Sequence, residues 1–208
     1  MSDPSTLTDP LACLIEEHRI FRRETKSFLE QVQRYEALIG TVPLDAAPVR
    51  GFARFLEQDV DRLHGGKEEK ALFPFLSGHL PTEGGPVEVL LVEHGDLRGL
   101  QRTLAVAGEK LDSDGEAAEV QQSVLDSALR VHRLLDEHID KEDTVLFPMV
   151  REVLSPKEMD DVREAFRAFE GEHGAILGRA TGSSGAQERA LPPFCAAGRA
   201  RRDTAERA

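Results

Sequence analysis

Apolar residues return every three or four positions along most of the chain, and alternating strand-like patterns are nearly absent. The first helix is predicted to open at Asp9-Pro10, an N-cap followed by proline at the first helical position. Its apolar stripe is Leu11, Leu14, Ile15, Phe21, Phe28, Leu29 and Val32, and it ends near Gly40. A second helix is predicted from about Ala46-Ala47-Pro48 to Leu76. Gly65-Gly66 interrupts its middle, where each glycine costs about 1 kcal/mol relative to alanine. Either the helix is distorted there or another backbone comes close. Residues 78–85 read as a loop, Pro86 opens a third helix running to about Leu111, and residues 112–115 form a turn. A fourth helix is predicted from Glu116 to Val153. Ser155-Pro156-Lys157-Glu158 is a capping box that starts a fifth, carrying Val162, Ala165, Phe166, Phe169, Ile176 and Leu177. From Thr181 the composition turns to Gly, Ser, Ala and Arg. The reading is one helical domain over residues 1–180 and a mobile C-terminal tail over 181–208.

A repeat organises these helices. His64-Gly-Gly-Lys-Glu68-Glu-Lys-Ala-Leu-Phe73-Pro74 matches His138-Ile-Asp-Lys-Glu142-Asp-Thr-Val-Leu-Phe147-Pro148 at His, Lys, Glu, Leu, Phe and Pro. A Glu-His pair precedes each copy, at Glu17-His18 and Glu93-His94. The chain therefore reads as two helical hairpins, each contributing a lone His and a His-x-x-x-Glu. The expected fold is all-α: an antiparallel up-down four-helix bundle with an additional C-terminal helix.

The repeated polar residues fall on apolar faces. Residues four apart share a helix face, so His64 points with Glu68 and His138 with Glu142. Glu142 lies within the stripe Val131, Leu134, Leu135, Val145, Leu146, Met149. His18 sits between Leu14/Ile15 and Phe21, and His94 between Leu90/Leu91 and Leu97. His64 is flanked less cleanly, by Val60 and then the glycine pair. A single His on an apolar stripe is usually a hydrogen-bonded core residue, a single His-x-x-x-Glu is usually a surface pair, and Phe-Pro is compatible with a mere helix end. The duplicated set is different. Burying an unpartnered carboxylate costs several kcal/mol, and a metal ion resolves that cost while using the imidazole lone pairs. Six ligands from four helices suit two ions better than one, with a carboxylate on each of two facing helices bridging them. Mixed His and carboxylate donors suit iron or manganese; structural zinc prefers four ligands and often sulfur, and calcium takes imidazole poorly.

Charge and composition narrow the picture further. A net charge of −12 disfavours nucleic acid. No apolar run approaches the roughly 20 residues that span a bilayer, and the first residues lack a secretory pattern. Cys13 and Cys195 have no metal-knuckle or redox-pair spacing, and two thiols fit a reducing cytoplasm. The expected setting is cytoplasmic, away from membranes and nucleic acids.

The order lone His, His-x-x-x-Glu with Leu-Phe-Pro, then the same again, resembles the hemerythrin-like, or HHE cation-binding, family over about residues 10–178. The resemblance implies a four-helix bundle around two Fe ions, oxo- or hydroxo-bridged, with Mn the alternative metal. It implies that Glu68 and Glu142 bridge, that His18 and His64 bind one ion, and that His94 and His138 bind the other. Oxygen carriers of the family have His four residues after the third-helix His; here Arg98 stands there. They also place an Asp five residues after the fourth-helix His, the place of Asp143, although Glu142 matches Glu68 in the repeat. His173, on the inward stripe of the fifth helix, is a candidate to replace the missing imidazole. His79 and His132 read as structural or exposed, and Tyr35 as too far along helix one to be a ligand.

The functional expectation is a di-iron protein that binds and reacts with a small diatomic or peroxide ligand: dioxygen, peroxide or nitric oxide. The alternatives are an iron or oxygen sensor without turnover, a di-iron oxidase acting on an organic substrate in a pocket made by Gly65-Gly66, and a metal-free bundle.

Overall fold

Five apolar stripes become five helical rods in the computed structural model, which describes residues 9–39, 43–81, 83–113 and 117–180. Helix α1 spans Pro10–Gln33, and a short 3-10 turn follows at Glu36–Leu38. The second rod begins as α2, Ala46–Phe55, passes through π-helical turns at Leu56–Gly65 and Glu68–Leu72, and ends as α3, Phe73–Leu76. Helix α4 spans Pro86–Ser113. The fourth rod is α5, Ala117–Lys141, a π-helical turn at Glu142–Leu146, and α6, Phe147–Val153. Helix α7 spans Pro156–Ala180. Among the described residues every regular element is helical, and none is long and apolar enough to cross a membrane. The expected tail, 181–208, lies outside the described residues.

The caps follow from the sequence. Asp9 Oδ1 accepts the Leu11 amide at 3.0 Å, and Asp45 does the same for Ala47. Glu158 accepts from both the amide and the hydroxyl of Ser155, and the Glu158 amide donates back to that hydroxyl at 3.3 Å.

The two Phe-Pro steps do not end their helices. A proline inside an α-helix clashes with the carbonyl four residues back and lacks the donor for it. One extra residue in the preceding turn removes that conflict. Phe73 donates its amide to Glu68 O and Phe147 to Glu142 O, each five residues back. The rods therefore continue through Pro74 and Pro148, and both π turns begin at the glutamate of the repeated motif. Such turns occur mostly at functional sites.

Helices α1, α2, α4 and α5 form the four-cornered bundle: α1 packs on α5, α5 on α4 and α4 on α2. Helix α7 lies across α1 and the π segments of the second rod. Gly66 is where it approaches. A methyl group there would sit 2.5 Å from Phe169 Cζ. An aromatic ring of α7, not a backbone, uses the space that glycine leaves. The apolar core has two parts. One contains Phe21, Val60, Leu97, Leu104, Leu135 and Ile139; the other contains Leu14, Leu72, Leu90, Leu146, Phe147 and Phe166. Along their rods His18, His64, Glu68, His94 and Glu142 fall between residues of one part and residues of the other.

Candidate metal centre

The layer between the two apolar cores is polar and buried. His18, His64, Glu68, His94, His138 and Glu142 are all buried, with both glutamates at zero exposure. His18 Nε2 lies 3.1 Å from His64 Nε2, and His94 Nε2 lies 3.2 Å from His138 Nε2. The glutamates span the two pairs. Glu68 turns Oε1 toward His64 and Oε2 toward His94, each at 3.4 Å. Glu142 turns Oε2 toward His18 and Oε1 toward His138, each at 3.1 Å. Two four-donor groups result: His18, His64, Glu68, Glu142, and His94, His138, Glu68, Glu142.

The Nδ1 side of every ring is committed to a carboxylate. His64 Nδ1 meets Glu17 at 2.7 Å and His138 Nδ1 meets Glu93 at 2.9 Å. His94 Nδ1 meets Glu69 at 2.7 Å and His18 Nδ1 meets Asp143 at 2.8 Å. An ionised carboxylate only accepts, so each Nδ1 carries a proton and each Nε2 turns inward, where it offers a lone pair once its own proton is displaced. Four Nε2 atoms thus face four carboxylate oxygens, and those oxygens have no hydrogen-bond partner. Leaving them so would cost several kcal/mol each. A bound cation would remove the conflict. Two ligands about 2.1 Å from one ion and at right angles stand about 3.0 Å apart, close to the Nε2 separations here. Carboxylates behind the metal-facing imidazoles are also the usual outer shell of His-metal sites.

A scan against family models matches residues 9–150 to the hemerythrin HHE cation-binding domain. The chain belongs to that family. Among relatives, the uncharacterized proteins Rv1995 of Mycobacterium tuberculosis and Mb2018 of Mycobacterium bovis are each 27% identical over 159 residues, covering 74% of this chain and 58% of theirs. The iron-sulfur cluster repair protein YtfE of an Enterobacter species is 28% identical over 121 residues, covering 57% of this chain and 52% of its own. The chain thus spans somewhat over half the length of these relatives. It is a metal-binding, hemerythrin-like protein.

Not every candidate joins the layer. Asp143 stands behind His18, with 27% side-chain exposure, while Glu142 faces both histidine pairs. His173 is not in either donor group. Its Nδ1 donates to Phe169 O at 2.9 Å, and its ring stacks on Phe169 at 4.0 Å between centroids. Helix α7 thus presents Phe169, rather than His173, to the second rod. Arg98 bonds Asp61 through Nε and Glu69 through Nη2, both at 2.6 Å. It steadies the carboxylate behind His94. His79 pairs with Glu158 at 2.9 Å near the surface, and His132 is half-buried, away from the layer.

Five supporting residues escaped a functional reading of the sequence, Glu17, Glu69, Glu93, Lys67 and Lys141, and Asp143 was considered there only as the alternative to Glu142. Lys67 Nζ contacts Glu17 and reaches Glu170 at 3.2 Å; Lys141 Nζ contacts Glu93. The signal was present in the repeat, which duplicates the Glu before each lone His, the Lys before each motif Glu and the acid after it. The two copies differ in one respect. Helix α7 seals Lys67 completely, whereas Lys141 is 42% exposed.

The electrostatics describe a layer that demands positive charge. Burial alone pulls the imidazole pKa values down. The Glu68 charge and the bond to Glu17 outweigh it at His64, which rises to about 9. Against the same burial, Glu68 and Glu69 raise His94 to about 10, and Glu142 and Glu93 raise His138 to about 9. Burial would raise Glu68, but the His64 charge holds it well below the ordinary carboxylate range. Without another cation the layer retains protons, which a metal must displace.

Proposed function

We propose that the layer holds two iron ions, with His18 and His64 on one, His94 and His138 on the other, and Glu68 and Glu142 bridging both. Manganese is the alternative for this donor set. The observation that supports the reading most strongly is the sharing of both buried carboxylates between two histidine pairs. Bound iron would supply a redox pair able to bind dioxygen, peroxide or nitric oxide at an open coordination position.

The protein's own residues shape that position. A cavity touching His64, Gly65, His94 and His138 has about 20 Å³ of room for a water's centre, against the roughly 10–15 Å³ that one water needs. Its size fits a diatomic or peroxide ligand. Gly65 keeps it open, since a side chain there would stand 3.7 Å from His94 Cε1. Leu56, Val60, Leu97, Leu135 and Ile139 wall it against water. The outer carboxylates hold each Nδ1 proton and aim each Nε2.

The reading is tested by purifying the chain, measuring metal identity and stoichiometry, and recording visible spectra before and after peroxide, oxygen and nitric oxide. Two irons per chain with peroxide turnover is the expected result. Stable ligand binding without turnover would favour a sensor, and one zinc per chain would contradict the reading.

A further inference from the structure

We propose that the Asp61–Arg98 ion pair is the gate through which small ligands reach the cavity. The proposal rests on the reading of the cavity as the ligand position. Apart from its histidines, the cavity's polar lining is Asp61, Arg98 and Gln101, and all three are partly exposed. The other walls are packed apolar side chains and Gly65. Polar, accessible lining therefore gathers at one place, between the second rod and α4. Arg98 reaches from α4 to Asp61 across that place, at 2.6 Å, with side-chain exposures of 34% and 31%. The opposite side is closed differently. Phe169 sits on Gly66, and Lys67 is fully buried between Glu17 and Glu170.

A ligand larger than the cavity's own clearance must displace the Asp61–Arg98 link. A partly exposed ion pair favours its closed form by a factor of about two to five, so the gate opens often without standing open. Arg98 holds Glu69 with its other nitrogen, and loss of Arg98 would loosen the carboxylate behind His94. Asp61 lacks that second role, so Asp61→Ala breaks the gate alone.

Two readouts test this. In the iron-loaded full-length chain, stopped-flow association of azide and of nitric oxide is compared for wild type, Asp61→Ala and Phe169→Leu, with iron content measured for each. The gate requires Asp61→Ala to speed both ligands about two- to fivefold and Phe169→Leu to leave both unchanged. The second readout needs no metal. In a metal-free chain carrying Cys13→Ala and Cys195→Ala, the thiol of a Leu135→Cys variant is labelled with methyl methanethiosulfonate. Asp61→Ala should speed labelling by a similar factor. Unchanged rates in both experiments overturn the proposal. An effect on azide alone also overturns it, because charge and not passage would then be limiting. Faster association in Phe169→Leu with none in Asp61→Ala places the entrance elsewhere. A wild-type chain that takes up no iron defeats the di-iron reading, while the labelling rates still decide the gate.

Discussion

Replacing Lys67 with methionine and comparing it with the same change at Lys141 isolates what burial does to a repeated ion pair. Both lysines precede the motif glutamate by one residue and both contact the carboxylate behind a histidine. Lys67 has no exposed surface and its partner Glu17 only 8%; Lys141 is 42% exposed. Removing one partner of a buried pair strands the other charge and costs about 3–5 kcal/mol, whereas an exposed pair is worth about 0–1 kcal/mol. Glu17 is the group stranded. Burial pushes its pKa up, and Lys67 and His64 together now hold it below the ordinary range. Lys67 also lies 5.8 Å above the Phe166 ring, a contact worth about 0.5–2 kcal/mol. Urea unfolding of the metal-free full-length chain should therefore show Lys67→Met destabilised by about 3–5 kcal/mol and Lys141→Met by less than about 1. Adding Glu17→Gln to Lys67→Met should restore part of the loss. Equal losses at the two lysines, or no restoration, would refute the assignment of Lys67 as counter-charge to a sealed Glu17.

Three further outcomes follow from the packing and charges. Gly66→Ala gains about 1 kcal/mol of helix propensity but drives a methyl into Phe169, an overpacking cost of about 1–3 kcal/mol; thermal melts should show a net loss that Phe169→Leu relieves. Burial, then the Glu17 charge, raises the Asp59 carboxyl from 3.8 to about 6. The folded chain then holds a proton that the unfolded chain has released, so stability falls as pH rises from about 4 to 6. Asp59→Asn should accordingly gain about 1–2 kcal/mol in urea titrations above pH 6, after discounting the full value of about 1.4 kcal/mol per pH unit for partial exposure, and should gain little below pH 4. Glu69→Gln should weaken metal binding about 10–100-fold in competition with a chelator, while leaving the helical signal in circular dichroism intact.

The bundle and the convergence of six side chains were legible because the repeat placed His18, His64, Glu68, His94, His138 and Glu142 on apolar stripes, where polar residues need a reason. The π turns were not legible. Glu68–Leu72 and Glu142–Leu146 consist of ordinary helix formers, and only the carbonyl conflict at Pro74 and Pro148 reveals the extra residue. Phe-Pro is locally ambiguous between an end and a π turn, and only packing beyond it decides. His173 shared the inward phase of Phe169, but one helical turn placed the ring of Phe169 over Gly66 and left His173 stacked outside it. Periodicity reports a face, not depth along it. The outer carboxylates were hidden for another reason. Glu17 serves His64, not its neighbour His18, and Glu69 serves His94. Those pairings cross between helices, and no spacing within one helix encodes them.

The most direct test of the proposed two-ion layer is anomalous diffraction at the iron edge from crystals of the iron-loaded chain. The account requires two peaks about 3.5–4 Å apart, both between Glu68 and Glu142, one beside His18 and His64 and the other beside His94 and His138. A single peak, or two peaks that do not share both glutamates, would contradict it.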